Sequence, residues 1–258
     1  MKTLLSIAFA CLGLNIVPAA IHTETVEYQQ GDTTLAGFMV YDDSVKSPRP
    51  GVLVVHQWKG LTDYEQKRAE MLAKFGYAAF CVDVYGKGIR PTTPQDAGAE
   101  AGKYKSNRPL LRERVNAGLA TFRKQKTVDP KRIAAIGYCF GGTTVIELAR
   151  SGADIAGVVS FHGGLDSPKP EDGKNIKCKI LACHGADDPF VPAKDLEAFE
   201  SEMRDSGADW RLIKYGGAVH SFTDWKADGG MKGAKYDEKA DRRSWEDMKQ
   251  FFAEIFKS

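Results

Sequence analysis

Short, wholly apolar runs alternate with longer amphipathic ones along this chain, and that alternation is its dominant signal. Residues 51–56 (GVLVVH) and 77–85 (YAAFCVDVY) are continuous apolar stretches of the kind strands show when helices cover both faces of a parallel sheet. Between them, Thr62 or Asp63 can cap a helix whose apolar side is Ala69, Met71, Leu72 and Phe75, with Gly76 ending it. Further strands are expected at 133–136, 155–161, 176–183 and 210–215. Residues 95–126 read as one or two helices broken near Pro109, with Leu111, Val115, Leu119 and Phe122 at helical spacing. Other helices are expected from Thr144 onward, over 193–206, and over 237–256 with Trp245, Met248, Phe252 and Ile255 as core face. Ahead of all these, 25–28 and 35–41 flank Gln30-Gly31-Asp32, which predicts an antiparallel hairpin at a sheet edge. The order predicts an α/β fold, a doubly wound and mostly parallel sheet with helices on both faces, in one domain over residues 20–258.

Composition fits that picture and narrows the partners. With 258 residues, 43% hydrophobic and 27% charged, the chain can bury a large core. A net charge of +2, with no Lys and Arg cluster interleaved with aromatics, argues against nucleic acid. Residues 1–19 read as a secretory signal: Lys2, an apolar run from Leu4 to Val17, and Val17-Pro18-Ala19, after which cleavage is expected. The run is too short and too poorly flanked for a spanning helix, so the mature protein is expected to be secreted or periplasmic, with no integral membrane segment. A lipoprotein-type cleavage at Ala8-Phe9-Ala10-Cys11 would leave a very short apolar region. Cys81, Cys139, Cys178 and Cys183 then remain, too few for a disulfide framework and without a C-x-x-C pair. The five-residue offset of Cys178 and Cys183 puts them on opposite faces of a strand.

In open α/β sheets, sites gather at the carboxyl ends of strands. There, Gly137-Tyr138-Cys139-Phe140-Gly141 joins a strand to a helix and has the form glycine, any residue, nucleophile, any residue, glycine. By itself Cys139 reads equally well as a small buried core residue. His56, His162, His184 and His220 each follow an apolar run or a glycine turn. Downstream, His184-Gly185-Ala186-Asp187-Asp188-Pro189-Phe190-Val191-Pro192 resembles the acid-bearing H-G-x-x-D-x-x-V-P segment of α/β-hydrolases, which puts the acid at Asp188 rather than Asp187. Gly216-Gly217-Ala218-Val219-His220-Ser221-Phe222 resembles the loop carrying the histidine, and the order nucleophile, acid, histidine is that of the α/β-hydrolase fold.

From about Thr25 onward the chain therefore resembles the dienelactone hydrolase family, a branch of the α/β-hydrolases that uses cysteine. The resemblance implies Cys139 as nucleophile, His220 as its proton acceptor, and Asp188 holding the His220 tautomer. It implies hydrolysis of a carboxylic ester, lactone or thioester through an acyl-enzyme, on a small-molecule substrate and without a cofactor. The backbone N–H of Phe140, at a helix start, is one oxyanion donor, and the resemblance places the other at Trp58.

Three positions depart from the family pattern. Gln57 stands where the family has a glutamate that holds the resting cysteine, and glutamine neither takes a proton nor carries charge. The two arginines that bind the substrate carboxylate align with Lys87 and Asp224. Lysine keeps the charge but loses the bidentate fork, and aspartate repels a carboxylate, so the acyl group is left open. Lys87 and Asp224 also read as solvated loop charges. His162 reads as a wall of the site or, preferably, as a structural hydrogen-bonding residue, and His56 likewise. Without H-E-x-x-H or paired Cys spacing, no metal site is expected. A non-catalytic small-molecule binding protein on the same scaffold, and an acyltransferase whose acceptor outcompetes water, remain compatible with these residues.

Overall fold

The apolar runs become the strands of one sheet in the computed structural model, which describes residues 20–257; the expected signal at 1–19 lies outside the described residues. In chain order the strands are β1 (Ile21–Gln30), β2 (Thr33–Asp42), β3 (Arg49–Val55), β4 (Ala78–Val82), β5 (Val128–Tyr138), β6 (Gly157–Phe161), β7 (Lys179–Gly185) and β8 (Trp210–Tyr215). They lie in the order β1-β2-β4-β3-β5-β6-β7-β8. The hairpin β1-β2 forms one edge and meets β4 antiparallel, and every pairing from β4 to β8 is parallel.

Helices cover both faces, as period-one apolar strands require. They are α1 (Asp63–Lys74), α2 (Pro94–Lys105), α3 (Arg108–Arg123), α4 (Phe140–Arg150), α5 (Ala193–Ser206) and α6 (Glu238–Ile255). Successive residues of β3 divide between two cores: Val52 and Val54 belong to the one that also holds Leu72 of α1 and Met248 of α6, while Leu53 and Val55 belong to the one that holds Val115 of α3, Val145 of α4 and Phe199 of α5. The fold is that of the α/β-hydrolases, with a mostly parallel sheet between two helical layers.

Local chemistry sets the boundaries. Of the two expected caps of α1 it is Thr62 that serves, in a capping box with Glu65. The break expected near Pro109 falls at residues 106–107, between α2 and α3; Pro109 itself lies in the first turn of α3, where its missing N–H has no intrahelical partner, and Asn107 caps that helix by accepting from Leu110 N at 3.2 Å. The strand expected from 176 begins at Lys179, because residues Pro170–Asn175 form a 3₁₀ turn that delays it. Cys178 and Cys183 pack into opposite cores, and Cys81, Cys139, Cys178 and Cys183 are all free thiols.

Candidate active site

A single residue separates β5 from α4, and the geometry of that turn follows from its glycines. A Cβ on Gly137 would stand 2.0 Å from Gly141 O, and one on Gly141 would stand 2.2 Å from Val55 O. Only with both side chains absent do strand and helix approach this closely. Cys139 between them has φ 54°, ψ −114°, a left-handed conformation that costs a non-glycine residue roughly 1–3 kcal/mol. Two acceptors hold it there: Cys139 N donates to Phe161 O at 3.0 Å and to His162 Nδ1 at 3.1 Å.

The loops after β7 and β8 bring Asp188 and His220 to this thiol. His220 Nδ1 donates to Asp188 Oδ2 at 2.8 Å, and its Nε2 lies 3.1 Å from Cys139 Sγ. Phe190 N donates to the other carboxylate oxygen of Asp188 at 2.8 Å, and the Phe190 ring stands edge-on to the imidazole. Hydrogen bonds from His220 N to Gly233 O and from Lys235 N to His220 O pin the histidine's backbone on both sides. Burial pushes the Cys139 thiol up, but the charge and hydrogen bond of His220, the Phe140 amide and the Lys105 ammonium outweigh it and bring the thiol below its ordinary value. Burial likewise opposes charge on His220, yet the sulfur and Asp188 raise the imidazole to about 10. Both shifts favour a thiolate–imidazolium pair.

Two cavities flank the pair. One, of about 310 Å³, contains Cys139 and His220 and is walled by Ala101, Phe140, Val191 and the glycines of α2, with Lys105 as its cation. The other, of about 320 Å³, is the more polar of the two and holds Gln57, Asp63, Asp224 and Lys226. Trp58, Ser221 and Met231 line both and so form the partition. Tyr85 Oη donates to Trp58 O at 3.0 Å, fixing the Trp58 backbone beside the thiol.

Cys139, His220 and Asp188 come together, with Phe140 and Trp58 around them. Gln57 and Asp224 meet in the polar cavity, Gln57 Nε2 donating to Asp224 Oδ2 at 3.2 Å. A glutamate does stand nearby: buried Glu65 accepts from the N–H groups of Gln57 and Thr62 and so belongs to the cap of α1. Lys87 is not brought to the site. Its N–H donates to Thr34 O in the edge hairpin, and its ammonium reaches Glu27 at 2.6 Å on the surface, so it lines neither cavity. His162 is fully buried behind the nucleophile and lines neither cavity, so it is not a pocket wall; its Nε2 donates to Thr223 Oγ1 at 2.7 Å. His56 donates from Nδ1 to Gln57 O and accepts from Val84 N, and burial brings it down to about 4. Lys105, Phe190, Met231 and Thr223 escaped the sequence reading. Phe190 lies inside the acid-bearing segment and could have been noticed, whereas the others carry no local signal.

A strand–cysteine–helix turn on a mostly parallel sheet, facing a histidine and its carboxylate, defines an enzyme of the α/β-hydrolase class. Within that class the chain belongs to the dienelactone hydrolase family, whose sequence model matches residues 35–256, and it is a hydrolase of lactone or ester type. A solved dienelactone hydrolase-like promiscuous phosphotriesterase from metagenomic libraries is 38% identical, covering 92% of this chain and 100% of its own, with a TM-score of 0.89. A putative carboxymethylenebutenolidase of Synechocystis is 25% identical over 90% of this chain and 96% of its own length. An uncharacterized protein of Caenorhabditis elegans is 35% identical over 57% of this chain and 94% of its own.

Proposed function

We propose that the protein is an exported hydrolase that cleaves a carboxylic ester, lactone or thioester of small size through Cys139, His220 and Asp188. The observation that carries this reading is the 3.1 Å approach of Cys139 Sγ to His220 Nε2, with Asp188 behind the imidazole at 2.8 Å. The thiolate attacks the carbonyl carbon, and the displaced electron pair rests on oxygen, between the backbone N–H groups of Phe140 and Trp58. The oxyanion collapses and expels the alcohol or thiol, which leaves with the proton of His220 Nε2. Neutral His220 then takes a proton from water, whose oxygen attacks the thioester and releases the acid and the thiolate. Asp188 stays ionised throughout and keeps the His220 proton on Nδ1. Export rests on the pattern of residues 1–19 alone.

Substitution of Cys139 by Ala is expected to abolish cleavage of p-nitrophenyl acetate, and intact-mass measurement on the wild-type protein should reveal an acyl adduct on Cys139. Full activity in the variant would sink the reading. The name of the 38% identical phosphotriesterase supports a second electrophile, a phosphotriester, so one belongs in the same panel.

A further inference from the structure

Behind the nucleophile, a chain of buried polar groups runs from the Cys139 turn, past Tyr64 at the wall of the second cavity, to the C-terminal helix. His162 Nδ1 accepts the Cys139 N–H at 3.1 Å. Only a neutral ring carrying its proton on Nε2 can do so, and that proton points to Thr223 Oγ1, 2.7 Å away. With Oγ1 accepting from His162, its own proton goes to Tyr64 Oη at 2.7 Å, which leaves the Tyr64 proton for Thr223 O at 3.2 Å. Arg68 closes the far end, donating from Nε to Tyr64 Oη at 3.2 Å and from Nη2 to Thr223 O at 2.8 Å and Asp241 Oδ1 at 2.6 Å. These assignments give each donor an acceptor, so the chain of bonds has one orientation.

Its members come from four separate pieces of the fold. Tyr64 and Arg68 are on α1, Asp241 is on α6, His162 follows β6, and Thr223 is three residues beyond His220 on the same loop. His162 and Thr223 are 0% exposed and Arg68 is 1% exposed. The Arg68 guanidinium is enclosed by the rings of Trp225, Tyr64, Trp245 and Tyr138, the nearest centroid at 4.2 Å. Such a caged cation is a rigid anchor, because leaving it without Asp241 and the Thr223 carbonyl would strand a buried charge. Burial, together with the positive charge of His220 and Arg68, keeps His162 neutral, the state in which it can accept the Cys139 N–H.

We propose that Thr223 is a positioning residue of the reaction, one side chain that ties the strained Cys139 turn, through His162, to the loop that carries His220. Its hydroxyl holds His162 in the tautomer that accepts from Cys139 N, and its carbonyl holds the His220 loop against Arg68. The Cys139–His220 approach is thereby set from behind by a group that never meets the substrate. This rests on the reading of Cys139 as nucleophile. Catalytic geometry is sensitive to small displacements, so loss of the hydroxyl should appear in turnover rather than in substrate binding.

The test is the isosteric Thr223→Val beside Thr223→Ser. In Thr223→Val, kcat for p-nitrophenyl acetate is expected to fall about tenfold with KM within about twofold, and iodoacetamide alkylation of Cys139 to slow in parallel. Thr223→Ser, which keeps the hydroxyl, should regain most of that loss. A group that only stabilises the fold would lower the melting temperature and leave kcat and alkylation of the folded protein alone. A folded Thr223→Val with wild-type kcat overturns the proposal. Should that variant not fold, Tyr64→Phe removes the acceptor of the Thr223 hydroxyl while keeping the ring; it should lose about threefold in kcat, and an unchanged kcat there is equally fatal. Loss of activity in Cys139→Ala together with full activity in folded Thr223→Val would leave the nucleophile standing and remove only the role of Thr223.

Discussion

At the scale of single residues, the thiol and the imidazole exchange their ordinary titration order. Cys139 is lowered and His220 is raised, each because the other's charged form lies 3.1 Å away, against the burial that opposes both charges. The sign follows directly. The thiolate is lost as pH falls through the lowered Cys139 value, while the His220 proton is lost as pH rises through about 10. Alkylation of Cys139 by iodoacetamide should therefore slow as pH falls, with its acid edge below that of an ordinary thiol. In His220→Asn the acid edge should move upward, toward that of an ordinary thiol. An edge that stays in place would rule out the ion pair. Much of this was legible in the sequence, because flanking glycines and a histidine loop are local patterns. The tie between His162 and Thr223 was not, since no spacing relates two residues 61 positions apart.

Among the elements, α2 shows how a helix can shape a site that its sequence does not announce. Gly98 and Gly102 sit in its interior, and a Cβ at either would meet nothing within 4 Å. No close approach demands them, and each costs roughly 1 kcal/mol relative to alanine in a helix interior. They face the cavity beside Cys139 and keep it open. Gly102→Ala is expected to raise stability by about 0.5–1 kcal/mol in urea unfolding. Gly102→Leu should cut kcat/KM for a butanoate ester about fivefold more than for the acetate, since the longer acyl chain needs the space the leucine fills. Equal losses on both esters would place the acyl group elsewhere. Periodicity placed one or two helices here with a break near Pro109, and the structure puts that break at Ser106 and Asn107, which end one helix and cap the next.

For the whole molecule, the sheet brings two unlike cavities to the two sides of the Trp58, Ser221 and Met231 partition. The more polar one holds Asp224, which accepts from Gln57 Nε2 and from Lys226 N, across the partition from Cys139. Asp224 is expected to disfavour a substrate with a carboxylate on that side. Asp224→Asn should raise kcat/KM for an ester whose leaving group bears a carboxylate by about threefold to tenfold at low salt, with little change for a neutral ester and a smaller effect in high salt. A change common to both substrates would argue against electrostatic selection.

The class of fold, the strand–cysteine–helix turn and the candidate acid and histidine were readable along the chain, because apolar periodicity, obligatory glycines and loop motifs act over a few residues. Which polar residues share a space was settled by the packing of the folded chain. It sent Lys87 to Glu27 on the surface, turned Glu65 into a helix cap, buried His162 behind the thiol and joined it through Thr223 to Arg68. Those outcomes depend on how strands far apart in the chain align and on where each buried donor finds its acceptor, and a linear pattern holds neither.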